Sequence, residues 1–520
     1  MLKFYNFIKA LPYVLITFVL VVIFLPDESH LSNNTVVYAS YSDVTDWDPA
    51  SAFSLEILVL GNIYETLVRY DPNSSVNMIK PCLAENWSVS EDGLEWTFQL
   101  RKNVLFHDGS ELTADSAKYS IERTIHKNKG GSYIWEPVQS IDVIDKYTLK
   151  ISTKYPAPID LIASSQYAAY IYSPATKKLG EDWFNQGKAS GTGPYKLRQW
   201  NRNQQIVIEQ NDDYWGEWGE NQISRVIFKI VRESATQVQM ILSGDADFVS
   251  LIPVDILEAL NKHEEIQVSF IPSWKNSQFL INTEKEPTNN LYFRKALTHA
   301  WDYQSVVEDI YEDSAEVASG IIPVTMWGHS SLEMPEFDLE LAKQYLEKSG
   351  VPSDKCSIEI SYISTSAAYQ YAAELFQNNL KKIGINAELK PGSWGTIWSD
   401  AKTEKRCPNL ISMTWWPTYP TPSDWLIGLF RTEQPTNFNL SKYTNLMYDK
   451  YIDEGVKYEA TNRAEAINIY KKAQNLLIDD AVAIFYADLK ERIIHRNEIL
   501  NLQANPAYNT IFFYQLRKQN

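Results

Sequence analysis

Between Leu83 and Arg123 the chain reads LAENWSVSEDGLEWTFQLRKNVLFHDGSELTADSAKYSIER, and no other stretch constrains the fold as tightly. Trp96, Phe98 and Leu100 alternate with Glu95, Thr97 and Gln99, the period-2 pattern of a strand with one buried face. Glu91-Asp92-Gly93 makes a turn before that strand, and His107-Asp108-Gly109 makes another before a helix. Thr113 can cap the free amides of that helix, and Asp115 and Ser116 sit in its first turn, where negative charge suits the helix dipole. A strand, two turns and a capped helix in so short a span specify a mixed α/β unit. No catalytic constellation accompanies them, so the segment reads as a recognition scaffold.

The same alternation of strands and helices continues along the chain, without a short internal repeat or a low-complexity tract. A strand over 35–39 leads into the loop DVTDWDPA, Asp43 to Ala50. Leu55, Leu58, Val59, Asn62, Ile63 and Thr66 recur at helical spacing and predict a helix over 54–70, stopped by Asp71-Pro72. Gly191-Thr192-Gly193-Pro194 is a tight turn before a strand over 195–200, and apolar stripes predict helices over 371–383 and 464–477. At 520 residues the chain is too long for one core, which implies two or three lobes.

A formal net charge of -17 argues against a nucleic-acid partner, since phosphate binding needs clustered Lys and Arg. Near the N-terminus, Lys3 and Lys9 precede an apolar run that Pro26, Asp27, Glu28 and Ser29 end. Its core, Leu11 to Leu25, is shorter than the roughly 20 residues of a spanning helix, which favours an export signal. Yet no small-x-small cleavage site and no lipid-accepting Cys follow at once, so cleavage and an uncleaved tether both stay open. Cys82, Cys356 and Cys407 lack metal-ligand spacing, so no metal and no cofactor are expected. Cys356 and Cys407 each precede a strand-like run, and either a bridge between them or three buried thiols fits the sequence.

The scaffold segment resembles the signature region of the family 5 solute-binding proteins of ABC importers, extracytoplasmic receptors for oligopeptides, dipeptides, nickel chelates and some oligosaccharides. The likeness continues through GTGPYKLRQW (Gly191 to Trp200), NDDYWGEWGENQISRVIFKIV (Asn211 to Val231), QMILSGDADFV (Gln239 to Val249), FLINTEKEPTNNLYFRKALTHAWD (Phe279 to Asp302) and LKKIGINAEL (Leu380 to Leu389), over roughly residues 36–515. It implies an α/β, periplasmic-binding-protein-like fold: two hinged mixed α/β lobes with an additional α+β domain, of large cluster C type. Residues 1–26 would be a signal sequence or membrane anchor and 27–34 a polar spacer. Lobe I would comprise 35–71, 187–273 and 492–520, the extra domain 72–186, and lobe II 274–491. Crossings near Ser273 and Glu491 would act as hinges. The resemblance further implies a monomeric receptor in the periplasm or at the cell surface. It would close over a small solute, most simply an oligopeptide, with an oligosaccharide or a sensing role as alternatives, and would meet importer permease subunits.

Within that frame the cleft chemistry is sought in SMTWWPTYPTPSDWL, Ser412 to Leu426. Ile411, Met413 and Trp415 alternate with Ser412, Thr414 and Trp416 at a strand end, and Pro417, Pro420 and Pro422 stiffen the loop that follows. Trp416 and Tyr419 are expected in the cleft, with Trp415 and Trp425 turned to the core. In peptide-binding members an aspartate two residues after the tryptophan matching Trp416 holds the ligand's terminal amine. This chain has Thr418 there, and a neutral hydroxyl cannot make that charge-assisted contact. Asp424 could substitute only if the loop bends differently. Trp394 and Trp398 in PGSWGTIW, together with Phe53, Tyr133 and Tyr486, are further candidates for ligand contact on the resemblance. There is no GxSxG elbow, no HExxH site and no GxxxxGK[ST] loop, and His107 has no partner nucleophile, so the chain is not expected to be an enzyme.

Overall fold

A computed structural model of the protein describes residues 34–519 apart from 73–77, 181, 437 and 504. The N-terminal export or anchor segment and most of its polar spacer therefore lie outside the described residues. Among the described residues, one eleven-stranded sheet organises the molecule. Its strands are β1 Thr35–Ser40, β2 Tyr195–Asn201, β3 Gln205–Gln210, β4 Arg225–Ile230, β5 Phe248–Val249, β6 Ile266–Ile281, β7 Ala315–Val317, β8 Ser357–Ile363, β9 Asn386–Gly392, β10 Leu410–Trp415 and β11 Ala483–Arg496. Their spatial order is β9-β8-β10-β6-β11-β5-β1-β4-β3-β2, with β7 on the side of β11. Parallel pairs (β1 with β4 and β5, β8 with β9 and β10) mix with antiparallel ones, so both α/β halves belong to one hydrogen-bonded system.

The two long strands join the halves. β6 and β11 pair antiparallel from Ile266↔Arg496 to Leu280↔Ala483. At one end β11 also pairs with β5, and at the other β6 also pairs with β10. Midway the register shifts between Pro272 and Lys275, which leaves Ser273 and Trp274 unpaired in the ladder while Ile271 stays opposite Glu491. Such a bulge bends the strand and raises its local twist. Ser273 Oγ donates to the Leu489 carbonyl at 2.5 Å and holds the bend.

Separate apolar clusters pack on the two halves: Trp47, Phe228, Phe248 and Phe513 in one, Phe279, Trp301, Phe376 and Tyr486 in the other. A smaller sheet of Ala84–Val89, Glu95–Leu100, Thr148–Thr153 and Val138–Asp145 contains the scaffold segment, and Trp96, Phe98 and Leu100 are buried as their alternation predicts. Helix Ala114–Lys127 starts at Thr113 with a capping box in which Ser116 is the reciprocal partner. The apolar cluster of this unit runs on without a break from Trp96 and Ile151 to Trp425 and Tyr470.

Two sequence expectations are corrected, and one alternative left open is resolved. The helix over 54–70 is only Ile57–Ile63, and Val68–Tyr70 is a strand paired with Ile79–Pro81. The cause is tertiary: the carbonyl of Ile63 accepts the Gly193 N–H at 2.9 Å, and a Cβ on Gly191 would come 2.1 Å from that same oxygen. The glycine turn thus docks where the next helical turn would form. The alternation in β10 is not realised, since Leu410 to Met413 are buried on both faces of a central strand. Finally, Cys82, Cys356 and Cys407 are all free and buried; Cys407 Sγ lies 3.0 Å from Asn282 Nδ2.

Candidate functional site

A cavity of about 660 Å³ opens where the two halves meet. Its floor is the middle of the long strands, Ile271 to Ser273, Lys275 and Glu491 to Ile493. One wall comes from β1 and the loop after it, including Tyr38, Tyr41 and Asp43, and continues through Phe53 to Val59. The opposite wall comes from the end of β10, Thr414 and Trp416. Tyr167 and the turn-rich segment around Asn505, Asn509 and Thr510 complete the lining.

Trp416 and Phe53 offer exposed rings to this space, at 44% and 38% exposure, and large exposed aromatics inside a concavity mark a recognition surface. Phe53 is braced edge-on by Tyr167, ring centroids 4.9 Å apart. Behind it the loop is pinned by Asp48, fully buried, whose carboxylate receives Arg123 at 2.7 Å and 2.8 Å and Lys127 at 2.7 Å. Burial alone would raise the Asp48 carboxyl, but the hydrogen bonds from Arg123 and Lys127 outweigh it and hold it below the usual range.

The loop behind Trp416 is built differently. Thr418 is buried, and its polar groups are turned away from the cavity lining into a network. Its hydroxyl bonds the Tyr133 hydroxyl, its carbonyl accepts Ser165 Oγ–H at 2.6 Å, and its N–H reaches Asp424 Oδ2 at 3.2 Å. Burial pushes Asp424 up to about 7 against the opposing Thr418 N–H bond, and the nearby Glu459 adds to the rise. Glu459, itself raised by burial, accepts hydroxyls from Thr421, Ser423 (3.1 Å) and Tyr470 (2.7 Å). Arg463, whose charge is felt at Glu459, is committed instead to Asp160, with Nη2 at 2.7 Å and 2.8 Å from its two oxygens.

The other sequence candidates fall outside the cavity lining. Tyr419 is half-buried behind the loop, and Tyr133 faces Thr418. Trp394 and Trp398 stack on each other at 6.1 Å on helix Trp394–Ala401, Trp398 stacks on Phe438 at 5.2 Å, and Phe438 meets Trp415 at 5.3 Å. They buttress the strand end that carries Trp416. Tyr486 is a core residue, fully buried against Trp301 and Phe279 at 4.8 Å and 5.8 Å, because β11 is covered on both faces there. Trp425 is buried as expected, whereas Trp415 is only partly so. His107 holds a turn: its Nε2–H reaches the Gly193 carbonyl at 2.9 Å, and burial lowers its pKa to about 4. Tyr38, Tyr167 and Lys275 were missed; the aromatic pair Phe53–Tyr167 spans a sequence gap that no local pattern bridges. Among the described residues, no group of three or more His, Cys, Asp or Glu is placed to hold a metal ion.

Two α/β halves joined by long paired strands around an aromatic-walled cavity define a solute receptor of the periplasmic-binding-protein class. The chain belongs to the bacterial extracellular solute-binding proteins, family 5, whose middle region matches residues 78–437. It is 27% identical over 456 residues to a probable D,D-dipeptide-binding periplasmic protein, DdpA, of Escherichia coli, covering 86% of this chain and 87% of that protein. It is likewise 27% identical over 457 residues to the glutathione-binding protein GsiB of Salmonella paratyphi A, covering 86% and 87%. Among solved structures, the periplasmic binding protein DppA from Helicobacter pylori, in complex with the peptide STSA, superimposes with a TM-score of 0.76 at 25% identity, over 94% of this chain and 98% of that one. The protein is therefore an extracytoplasmic solute receptor of ABC-importer type and not an enzyme. Among the described residues no helix is long and apolar enough to cross a membrane.

Proposed function

We propose that the protein captures an oligopeptide in this cavity and delivers it to the permease subunits of an ABC importer, working as a monomer. The observation that carries the reading is the pair Trp416 and Phe53, which present rings from two different walls to one cavity of about 660 Å³ floored by β6 and β11. In this reading 35–71, 187–273 and 492–520 form one lobe, 72–186 the extra domain and 274–491 the other lobe. The bulge at Ser273, with Glu491 beside it, is the hinge. A ligand then shifts the open-closed balance by the contacts it makes only when both walls touch it. Support comes from the relatives, two of which are named for small peptides, and from the peptide-bound structural neighbour. The apolar stretch Leu11 to Leu25 serves in export, as a cleaved signal or as a tether.

Mass spectrometry of small molecules retained by the purified protein, with thermal shift against peptide pools, tests this. Peptide retention and a rise in Tm are expected, because a ligand that binds only the folded form stabilises it by mass action. Trp416→Ala should weaken peptide binding about tenfold or more while the unliganded Tm moves little, as its ring is substantially exposed. Absence of retained peptide, together with no shift from any pool, would overturn the peptide assignment.

A further inference from the structure

Of the four charged residues in the cavity lining, Asp43, Lys275, Glu491 and Arg492, the last turns its side chain away. Successive residues of β11 point to opposite faces of the sheet. Glu491 and Ile493 share one face, and Ile493 packs on the cluster that holds Tyr38 and Phe248, both of them in the cavity lining. Arg492 and Ile494 take the other face, where Ile494 clusters with Ile252 and Arg492 Nη2 donates to the Ile252 carbonyl at 2.9 Å. What remains on the cavity side is two carboxylates against one ammonium, a balance that favours a cationic group.

The two carboxylates are not equally open. Asp43 is saturated: Oδ1 accepts the Val44 N–H at 2.8 Å and Trp200 Nε1–H at 3.0 Å, and Oδ2 accepts the Asn203 N–H at 2.7 Å. Glu491 is engaged through Oε2 alone, in a close ion pair with the Lys275 ammonium, and Oε1 takes no hydrogen bond from the described residues. Its side chain keeps 46% exposure. An ionised carboxylate accepts at both oxygens, so a second cation can join the first. Asp48 already does this in the same molecule, where it takes Arg123 and Lys127 together. Tyr38 and Tyr41 lie within electrostatic reach of Glu491, and neither hydroxyl is hydrogen-bonded among the described residues. Burial, reinforced by the Glu491 charge, raises both phenols, so they stay neutral and free to accept from an ammonium. Thr418, by contrast, is occupied by Tyr133, Ser165 and Asp424 and is not part of the lining.

We propose, resting on the peptide reading above, that the amino end of the solute docks on Glu491 Oε1, so that the amine site stands on the long strand at the cavity floor and not on the loop after Trp416. The ammonium shares the carboxylate with Lys275 and gains a charge-assisted hydrogen bond, the strong kind. A neutral residue at 418 then moves the amine contact without abolishing it, and the preferred ligand class is a peptide with a free amino terminus. Because Glu491 pairs with Ile271 beside the bulge, the contact falls where the two halves of the sheet join.

The test uses one degenerate tetrapeptide pool, built without Lys, Arg or His so that the amino terminus is the only cation, in free and N-acetylated versions, each with acid and with amide C-termini. Binding is followed by thermal shift and by titration calorimetry. N-acetylation should weaken affinity about tenfold or more with either C-terminus, the loss expected for one charged hydrogen bond. In Glu491→Gln the free and acetylated pools should bind alike, and Glu491→Asp, which keeps the charge on a shorter arm, should restore part of the preference. Asp424→Asn should keep the preference in full, since Asp424 is outside the lining. The unliganded Tm and circular dichroism of each variant report its folding. Equal binding of free and acetylated pools to the natural protein would overturn the amine site while leaving the peptide reading intact. A preference that survives in Glu491→Gln, or vanishes in Asp424→Asn, would return the amine contact to another carboxylate and overturn the assignment to Glu491. Failure of every pool would remove the peptide reading, and this inference with it.

Discussion

The two walls of the cavity each present an exposed aromatic ring from a loop, Phe53 on one side and Trp416 on the other, yet they are secured by opposite chemistry. Behind Phe53, Asp48 is ionised and clamped by Arg123 and Lys127. Behind Trp416, Asp424 and Glu459 are buried without a dedicated cation, because Arg463 serves Asp160 instead. A buried carboxylate is tolerated when cations and N–H groups neutralise it, and is otherwise driven toward its neutral form. One wall is thus an ionic clamp and the other a network of neutral hydrogen bonds, and they should fail under different conditions.

Breaking the ionic clamp should have the largest effect. Asp48→Ala leaves two partly buried cations, Arg123 and Lys127, facing an empty site, a change that costs about 3–5 kcal/mol when a buried pair loses one partner. Chemical denaturation at pH 7 measures it. With the folded Asp48 value below the unfolded one, its contribution is present above the ordinary carboxylate range and is lost as pH falls through the lowered value. The gap between the natural protein and Asp48→Ala should therefore narrow in acid.

The opposite wall has the opposite sign. Asp424 rises from 3.8 to about 7, so the folded protein holds a proton that the unfolded chain releases. Stability is fullest below about pH 4 and declines as pH rises through about 7. Asp424→Asn keeps an acceptor for the Thr418 N–H and removes the charge, so it should stabilise the protein by roughly 2–4 kcal/mol at pH 8 and hardly at all at pH 4. Thermal unfolding across that range checks it, and a flat difference between the two proteins would show that Asp424 is ionised throughout.

How far these walls were legible in the sequence follows from what each depends on. The Asp43–Ala50 loop and the capped helix at Thr113 are written in turn and capping residues, whereas the strand ending at Trp415 forms without the alternation expected of it because Leu410 to Met413 are all buried. The partners of Asp48 lie 75 and 79 residues away, and nothing local marks Arg123 or Lys127 as its counter-ions. Trp416 could be placed because it follows a strand into a proline-stiffened loop. Tyr486 could not, because whether a strand is covered on one face or two depends on neighbours brought in by β6 and β10. Thr418 was visible as a departure from the family pattern, but its capture by Tyr133 and Ser165 required the extra unit to be docked first.

Arg463 separates the two regimes at smaller scale. Arg463→Ala removes a charge-assisted contact to the largely buried Asp160 and takes away a positive charge that favours the ionised form of Glu459, for a cost of about 1.5–3 kcal/mol. Because Asp160 precedes Ser165 and Arg463 opens the helix that carries Tyr470, the loss should also loosen the Trp416 wall. Calorimetry with a bound peptide should show weaker affinity than the Tm change alone accounts for. Equal losses in free and bound protein would confine Arg463 to folding.

The smallest effect isolates the neutral network itself. Tyr133→Phe keeps the ring and deletes the hydroxyl that meets Thr418, leaving Thr418 to Ser165 and Asp424. One hydrogen bond between neutral groups is worth about 0.5–1.5 kcal/mol. Burial holds the Tyr133 hydroxyl well above its ordinary pKa, so neither partner changes charge between pH 4 and 8, and the loss should be the same at both ends. A loss that grew with pH would mean that Tyr133 also stabilises the ionised form of Asp424, and would make the Trp416 wall a weak ionic clamp in place of a neutral one.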